Sequence, residues 1–308
     1  VTTSFDPGIA RGTVITGKWK RRRYLVERML GEGANGKVYL VERDRVRYAL
    51  KVSADVVDLQ SEINVLQSLA DQRTSEERSF LVDVDDYCHP EGRDYPFYVM
   101  RYVRGIKMSE YLAKHGTDWF PLIGFHLLGR LASLHEAGWV FGDLKPENVL
   151  VGDYGKAQLV DFGGVTELGK SVRQFTEIYD RGYWTAGSRS ADAQYDIFSF
   201  AVLIIQLFES RRIAQLTATL LPQNRVAEEL MKIARQSAPL QPLQSWLRKA
   251  LGGGFVNARD AAASWQKTLR PVAARRRHPP SPRWMKRMFV ISAMMLATTV
   301  IWFIWTNQ

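Results

Sequence analysis

The chain of 308 residues contains a single cysteine, Cys88. This excludes an intramolecular disulfide and a cysteine-based zinc site, and it suits a reducing compartment; Cys88 itself is expected as a small buried residue. No internal repeat divides the sequence. Acidic residues are missing from one region: between Arg270 and Arg287 there are Arg, Lys and prolines at 271, 279, 280 and 282, and no Asp or Glu. Such a composition predicts an extended, solvated linker over 271–287. Charge and proline are both absent from the residues that follow, 288–305.

As a helix, 288–305 would be about 27 Å long, the lower end of what a bilayer core requires. Trp284, Trp302 and Trp305 would lie at its two interfaces. We therefore expect a transmembrane helix, with the basic flank and everything before it on the cytoplasmic side and the C-terminus outside: a single-pass protein of the cell membrane, with the lipid bilayer as a partner. The formal net charge is +10, but the excess is concentrated beside this segment, so no nucleic-acid partner is expected.

With 46% apolar residues, the rest of the chain can bury a substantial core, enough for a catalytic domain of about 250 residues. Its most specific feature is Phe141-Gly142-Asp143-Leu144-Lys145-Pro146-Glu147-Asn148, followed thirteen residues after the Asn by Asp161-Phe162-Gly163. Phosphoryl transfer needs a carboxylate to orient the attacking hydroxyl, a cation near the transferred phosphate, and amide and carboxylate oxygens to hold Mg²⁺. Asp143, Lys145, Asn148 and Asp161 supply these groups in that order.

Upstream, Gly31-Glu32-Gly33-Ala34-Asn35-Gly36-Lys37-Val38 places three glycines between two apolar stretches. Glycine lets the backbone approach phosphate oxygens, and free N–H groups suit an anion. Tyr48-Ala49-Leu50-Lys51-Val52 reads as the next strand. Helical spacing of Val56, Leu59, Ile63, Leu66 and Leu69 follows, carrying Glu62 as the natural partner of Lys51, with Glu76 and Glu77 as fallbacks.

These motifs together resemble the protein kinase superfamily, and the Asp143–Asn148 wording resembles its Ser/Thr kinases; the compact size, single cysteine and expected tail anchor resemble the bacterial members of that group. The resemblance implies an α+β, two-lobed fold: an N-terminal basic arm (1–23), an N-lobe and hinge (24–105) and a helical C-lobe (106–270). It implies ATP with Mg²⁺ (Mn²⁺ as a substitute) and transfer of the γ-phosphoryl group to Ser or Thr of a protein substrate. Asp143 and Lys145 would be catalytic, and Asn148 and Asp161 would bind metal. Gly31, Gly33, Gly36, Val38, Lys51 and Glu62 would surround the nucleotide, and Met100 would precede a hinge whose Arg101 and Val103 backbones meet adenine. Phe141 would pack beneath Phe162, and Asp196 would brace the catalytic loop.

Three departures from the family pattern stand out. Gly142 replaces the arginine that in many relatives receives an activation-loop phosphate. Thr185-Ala186-Gly187 lacks the glutamate of the usual A-P-E, and Gly254-Phe255 lacks its arginine partner, which leaves open how the substrate segment is held. These departures keep a small-molecule kinase in play as an alternative, beside a membrane-anchored scaffold without turnover. Ser171, Thr176 and Tyr179 are candidate phosphorylation sites. Residues 1–23 fit either a flexible arm or an additional strand.

Overall fold

Alternation of buried and exposed residues organises the first hundred positions into one antiparallel sheet. Its strands are β1 (Val14–Thr16), β2 (Arg23–Gly33), β3 (Gly36–Arg43), β4 (Val46–Val52), β5 (Leu81–Cys88) and β6 (Asp94–Arg101), in the order β1-β2-β3-β4-β6-β5. The computed structural model describes all residues except 1–5, 34–35, 72–79, 91, 174–175, 277–282 and 307–308. One side of the sheet buries Ile15, Tyr24, Val26, Tyr39, Leu50, Phe97 and Val99. The other side packs Ala49, Tyr98 and Met100 against Leu59, Ile63 and Leu66 of helix α1 (Val56–Asp71). Asp55 starts that helix by accepting the Val57 and Asp58 N–H groups at 2.9 Å, so two of its unpaired donors are satisfied. Residues 14–16 are thus a strand of the sheet. Cys88, expected inside, is exposed, because it ends β5 where the alternation turns outward.

The second half of the domain is helical. Short strands β7 (Ile106–Lys107), β8 (Trp139–Val140), β9 (Val149–Val151), β10 (Ala157–Leu159) and β11 (Thr166–Glu167) form a three-stranded sheet β10-β9-β7 and a pair β11-β8. They are interleaved with α2 (Met108–His115), α3 (Phe120–Glu136), α4 (Ala193–Thr219), α5 (Ala227–Gln236), α6 (Gln244–Leu251) and α7 (Ala258–Arg276). Tyr195 to Ile205 of α4 are all buried, so this helix is the axis of the lobe. Phe200 meets Trp246 and Trp265 edge-on at 5.5 Å each. Gly124 on α3 permits this packing, since a Cβ there would lie 2.6 Å from the Trp265 ring. Both indoles are satisfied, Trp246 donating to Ala261 O and Trp265 to Pro121 O.

Residues 1–266 form one compact unit and 267–308 another. Helix α7 runs through Pro271 to Arg276, so the segment expected to be extended is helical over its first six residues; Ala273 and Ala274 are strong helix formers and favour this. The second unit also contains α8 (Arg283–Thr306), on which Met288, Phe289, Val290, Ile291, Met294, Met295, Leu296, Trp302 and Trp305 are exposed. Among the described residues no helix is long and apolar enough to cross a membrane. The expected membrane span is therefore not supported among the described residues.

Candidate active site

The glycine-rich turn joins β2 to β3. Gly31 pairs with Val38 and Gly33 with Gly36, while Ala34 and Asn35 lie outside the described residues. A Cβ on Gly31 or Gly33 would meet nothing within 4 Å, so packing does not demand glycine there; open space lies above these positions. Gly36 differs, since its φ of +129° and a Cβ site 2.2 Å from Val52 O leave no room for a side chain. Val38 packs with Ala49 and Met100 at the edge of the α1 cluster.

Lys51 lies on β4, directly opposite Val38 of β3 on one side and Tyr98 of β6 on the other. Its Nζ contacts Glu62 Oε1 at 2.6 Å, Glu62 Oε2 at 2.8 Å and Asp161 Oδ1 at 3.2 Å. The shortened connection into α1 thus suffices to bring Glu62 to Lys51; Glu76 and Glu77 lie outside the described residues. Burial pulls the Lys51 ammonium down, but the carboxylates of Asp161 and Glu62 outweigh it and hold its pKa above the ordinary lysine value. Burial also pushes the Glu62 carboxyl above its usual range, a rise that Lys51 only partly opposes. Tyr98, which no motif announced, donates its hydroxyl to Glu62 Oε2 at 2.9 Å. Burial and the adjoining carboxylate push the Tyr98 phenol well up, so it remains a donor.

Asp161 has φ +62°, left-handed for a residue other than glycine, and its side chain is half exposed to the cleft. Phe162 turns the other way, 5.8 Å from Phe80 and 6.1 Å from Phe141. The apolar contact expected of Phe141 is therefore made.

Asp143 lies on the loop after β8. Lys145 Nζ meets its Oδ2 at 2.6 Å, and Asn148 Nδ2 donates to its backbone oxygen at 2.9 Å. The Asn148 amide nitrogen is spent this way, which leaves its side-chain oxygen as the acceptor a cation would use. Thr176 donates to Asp143 Oδ1 at 2.8 Å and lies 3.5 Å from Lys145 Nζ. Thr176 thus sits inside the centre rather than on an accessible loop, and Tyr179 is buried with its hydroxyl on Gln206. Neither position suits a phosphorylation site in this conformation; Ser171 is exposed.

Asp196 is fully buried and accepts three donors: Phe141 N at 2.8 Å, Gly142 N at 2.9 Å and His135 Nε2 at 2.8 Å. It fixes the loop that carries Asp143. Gly142 has φ +79°, and a Cβ there would be 2.6 Å from Gly164 O. Its place beside Gly164 leaves no space for a side chain, so the loop after Asp161 packs directly on the catalytic loop.

The substrate segment is held by pairs that spacing did not reveal. Arg181 forms a fork on Asp192 at 2.8 and 2.6 Å and also donates to Ser188 O and Ser190 O. Asp180 accepts Arg189 Nε at 2.7 Å, Tyr195 OH at 3.0 Å and Gly182 N at 3.0 Å. Trp184 is fully buried with its Nε1 donating to Ile178 O, and Thr185 donates to Arg225 O. Four charges local to residues 180–192 take over the task left open by the altered A-P-E.

At the hinge, Arg101 donates its N–H to Phe80 O at 3.0 Å. Its N–H is therefore taken, a narrowing of the expectation for that residue. Val103 makes no backbone hydrogen bond among the described residues outside regular structure.

Comparison with known proteins agrees with this geometry. The protein kinase domain pattern matches residues 24–259. The chain is 34% identical over 295 residues to serine/threonine-protein kinase YabT of Bacillus subtilis, covering 92% of this chain and 84% of that protein. It is 32% identical over 129 residues to serine/threonine-protein kinase PknL of Mycobacterium tuberculosis, 39% of this chain and 32% of that one. Among solved structures, vaccinia related kinase 3 superimposes with a TM-score of 0.61 at 15% identity, over 88% of this chain and 93% of that one, a likeness of fold.

Proposed function

Taking as premise that the chain belongs to the protein kinase family and is a protein serine/threonine kinase, we propose which of its residues perform the transfer. The observation that carries the assignment is convergence: Lys51 joins Glu62 to Asp161, and Asp143 gathers Lys145, Asn148 and Thr176. Groups from five separated stretches of chain meet at one cleft.

On this reading Gly31, Gly33, Gly36 and Val38 cover ATP, the Arg101 carbonyl and the Val103 backbone border the adenine, and Lys51 holds the α/β-phosphates while Glu62 fixes Lys51. The Asn148 carbonyl and the Asp161 carboxylate are a donor set that suits a hard cation whose remaining ligands are phosphate oxygens. Mg²⁺ held there would neutralise phosphate charge. Asp143 orients the hydroxyl of a Ser or Thr side chain and accepts its proton. The hydroxyl oxygen forms a bond to the γ-phosphorus as the bond to the bridging oxygen of ADP breaks, and Lys145 offsets charge on the phosphoryl oxygens. The Thr176 hydroxyl, already on Asp143, marks where a substrate hydroxyl would be received.

The test is incubation of the full chain with γ-labelled ATP and Mg²⁺ beside Asp143→Asn and Asp161→Ala, with phosphosite mapping. Label on Ser or Thr in the wild type alone supports the assignment. Undiminished label in either variant overturns it, and label on a small hydroxylated molecule but on no protein favours the metabolite kinase.

A second reading concerns location. The uncharged run 288–305, the basic residues before it and the exposed apolar side chains of α8 support residence at a membrane, with the kinase domain on its cytoplasmic face. Recovery of the full chain in the soluble fraction, where a form ending at residue 280 is also found, would refute this.

A further inference from the structure

The first and last strands of the six-stranded sheet are not left as free edges. Val14, Ile15 and Thr16 pair with Leu25, Tyr24 and Arg23 of β2. The chain then crosses to the opposite edge, where Gly17 bridges Tyr87 of β5 and Lys18 N donates to Asp86 O at 2.8 Å. The sheet is thereby closed on itself around Ile9, Ile15, Tyr24, Tyr39 and Phe97.

Two anchors hold this crossing segment. Asp85, which is buried, gives both carboxylate oxygens to it: Oδ1 accepts Trp19 N at 2.9 Å and Oδ2 accepts Lys20 N at 2.8 Å. Trp19 Nε1 adds a bond to Asp86 Oδ2 at 2.8 Å. At the other anchor, Tyr39 OH donates to Pro7 O at 2.7 Å and accepts from Ile9 N at 3.2 Å.

These anchors flank Lys51 in the sheet. Next to Asp85 is Val84, opposite Tyr98; Tyr98 is opposite Lys51 and holds Glu62. Next to Tyr39 is Val38, opposite Lys51 from the other side. Between Trp19 and α1 lies a cavity of about 210 Å³ lined also by Leu59, Gln60, Ile63, Val84 and Pro96. Leu59 and Ile63 are buried against the sheet face that carries Tyr98, so the placement of Glu62 follows that of the strands bearing Tyr98 and Lys51. We infer that residues 6–20 are a strap that positions Lys51 and Glu62 from behind, by closing the sheet on the face opposite α1 and so fixing the strands that carry Lys51 and Tyr98, with Asp85 and Trp19 as positioning residues for the nucleotide side of the site. The inference rests on the reading of Lys51 as the phosphate-contacting group.

Gly17→Ala in the full chain tests it, because a Cβ on Gly17 would fall 2.2 Å from Asp85 Oδ2 and force that carboxylate off the strap without touching Lys51, Glu62 or Tyr98. Hydrogen exchange of amides 18–20 and 59–66 is followed beside the KM for ATP. We expect exchange to quicken at 18–20 and about tenfold or more across 59–66, with α4 unchanged, and KM to rise about fivefold. Release of 18–20 with 59–66 and KM at wild-type values overturns the strap. Lys20→Pro, which deletes one donor to Asp85, is read by the same criterion if Gly17→Ala does not fold or does not release the segment. Exchange is read without turnover, so an inactive wild type whose 59–66 region still loosens in the variant keeps the strap while the catalytic assignment fails.

Discussion

Lys51 meets Glu62 at 2.6 Å, and Lys145 meets Asp143 at the same distance. The side chains of the first pair are 5% and 2% exposed, and those of the second 26% and 12%. Equal geometry thus serves unequal ends. In the sealed pair Glu62 without Lys51 would be a buried carboxylate left to the Tyr98 hydroxyl, so the two are bound to each other and to the fold. Around the open pair water can enter, Thr176 already shares Asp143, and partners can exchange as a substrate hydroxyl arrives. On the proposed assignment the nucleotide side is the sealed pair and the substrate side the more open one.

The largest effect should come from the open pair. Asp143→Asn is expected to lower turnover about 10²- to 10⁴-fold while ATP affinity, measured by titration, stays near the wild-type value. Next, Lys51→Met and Lys145→Met should separate in stability although both lose activity. Denaturant unfolding should show a loss of about 3–5 kcal/mol for Lys51→Met, which strands Glu62, and about 1 kcal/mol or less for Lys145→Met. Equal losses would erase the distinction between the pairs. Gly142→Ala, beside the open pair, should cost about 1–3 kcal/mol in the same assay, because φ is +79° and the new Cβ meets Gly164 O.

The smallest effect sharpens the sealed pair. Tyr98→Phe removes one hydrogen bond to Glu62 and should cost about 1 kcal/mol. It also bears on pH. The Glu62 carboxyl is raised by burial above 4.5, so the folded state takes up its proton more readily than the unfolded one. This group therefore favours folding in acid, and its contribution is lost as pH rises through the raised value. Protonation nevertheless dissolves the pairing with Lys51. Turnover should thus fall on acidification before the fold does, starting above pH 4.5, and Tyr98→Phe should move that fall to higher pH. A pH–rate profile beside a melting series at each pH checks both; loss of rate only together with melting would contradict the expectation.

Groups close together in sequence were the legible ones. Asp143, Lys145 and Asn148 lie on one short loop, so their spacing alone limits where they point. Glu62 was legible because the period of Leu59, Ile63 and Leu66 fixes the buried face of α1, on which it lies. Tyr98 left no such signal: in the strand Phe97-Tyr98-Val99-Met100 it reads as one more apolar residue, and only the pairing of β4 with β6 brings it to Lys51. Thr176, 33 positions from Asp143, read as a loop hydroxyl for the same reason. The loss of the A-P-E glutamate was visible, whereas the replacement by Arg181–Asp192 and Asp180–Arg189 was not, since charged residues in a loop carry no mark of their partners.

The sequence by itself determined the class of fold and the kinase class of the chain, and it singled out Lys51, Asp143, Lys145, Asn148 and Asp161 as candidates, because phosphoryl transfer admits few side chains and requires them in a fixed order. Tertiary structure decided the rest. It chose a strand over a loose arm for residues 14–16, closed the sheet through Asp85, seated Thr176 on Asp143 and gave two pairs of equal length unequal burial. Those outcomes depend on which distant strands pair and how much water they exclude, and local pattern specifies neither.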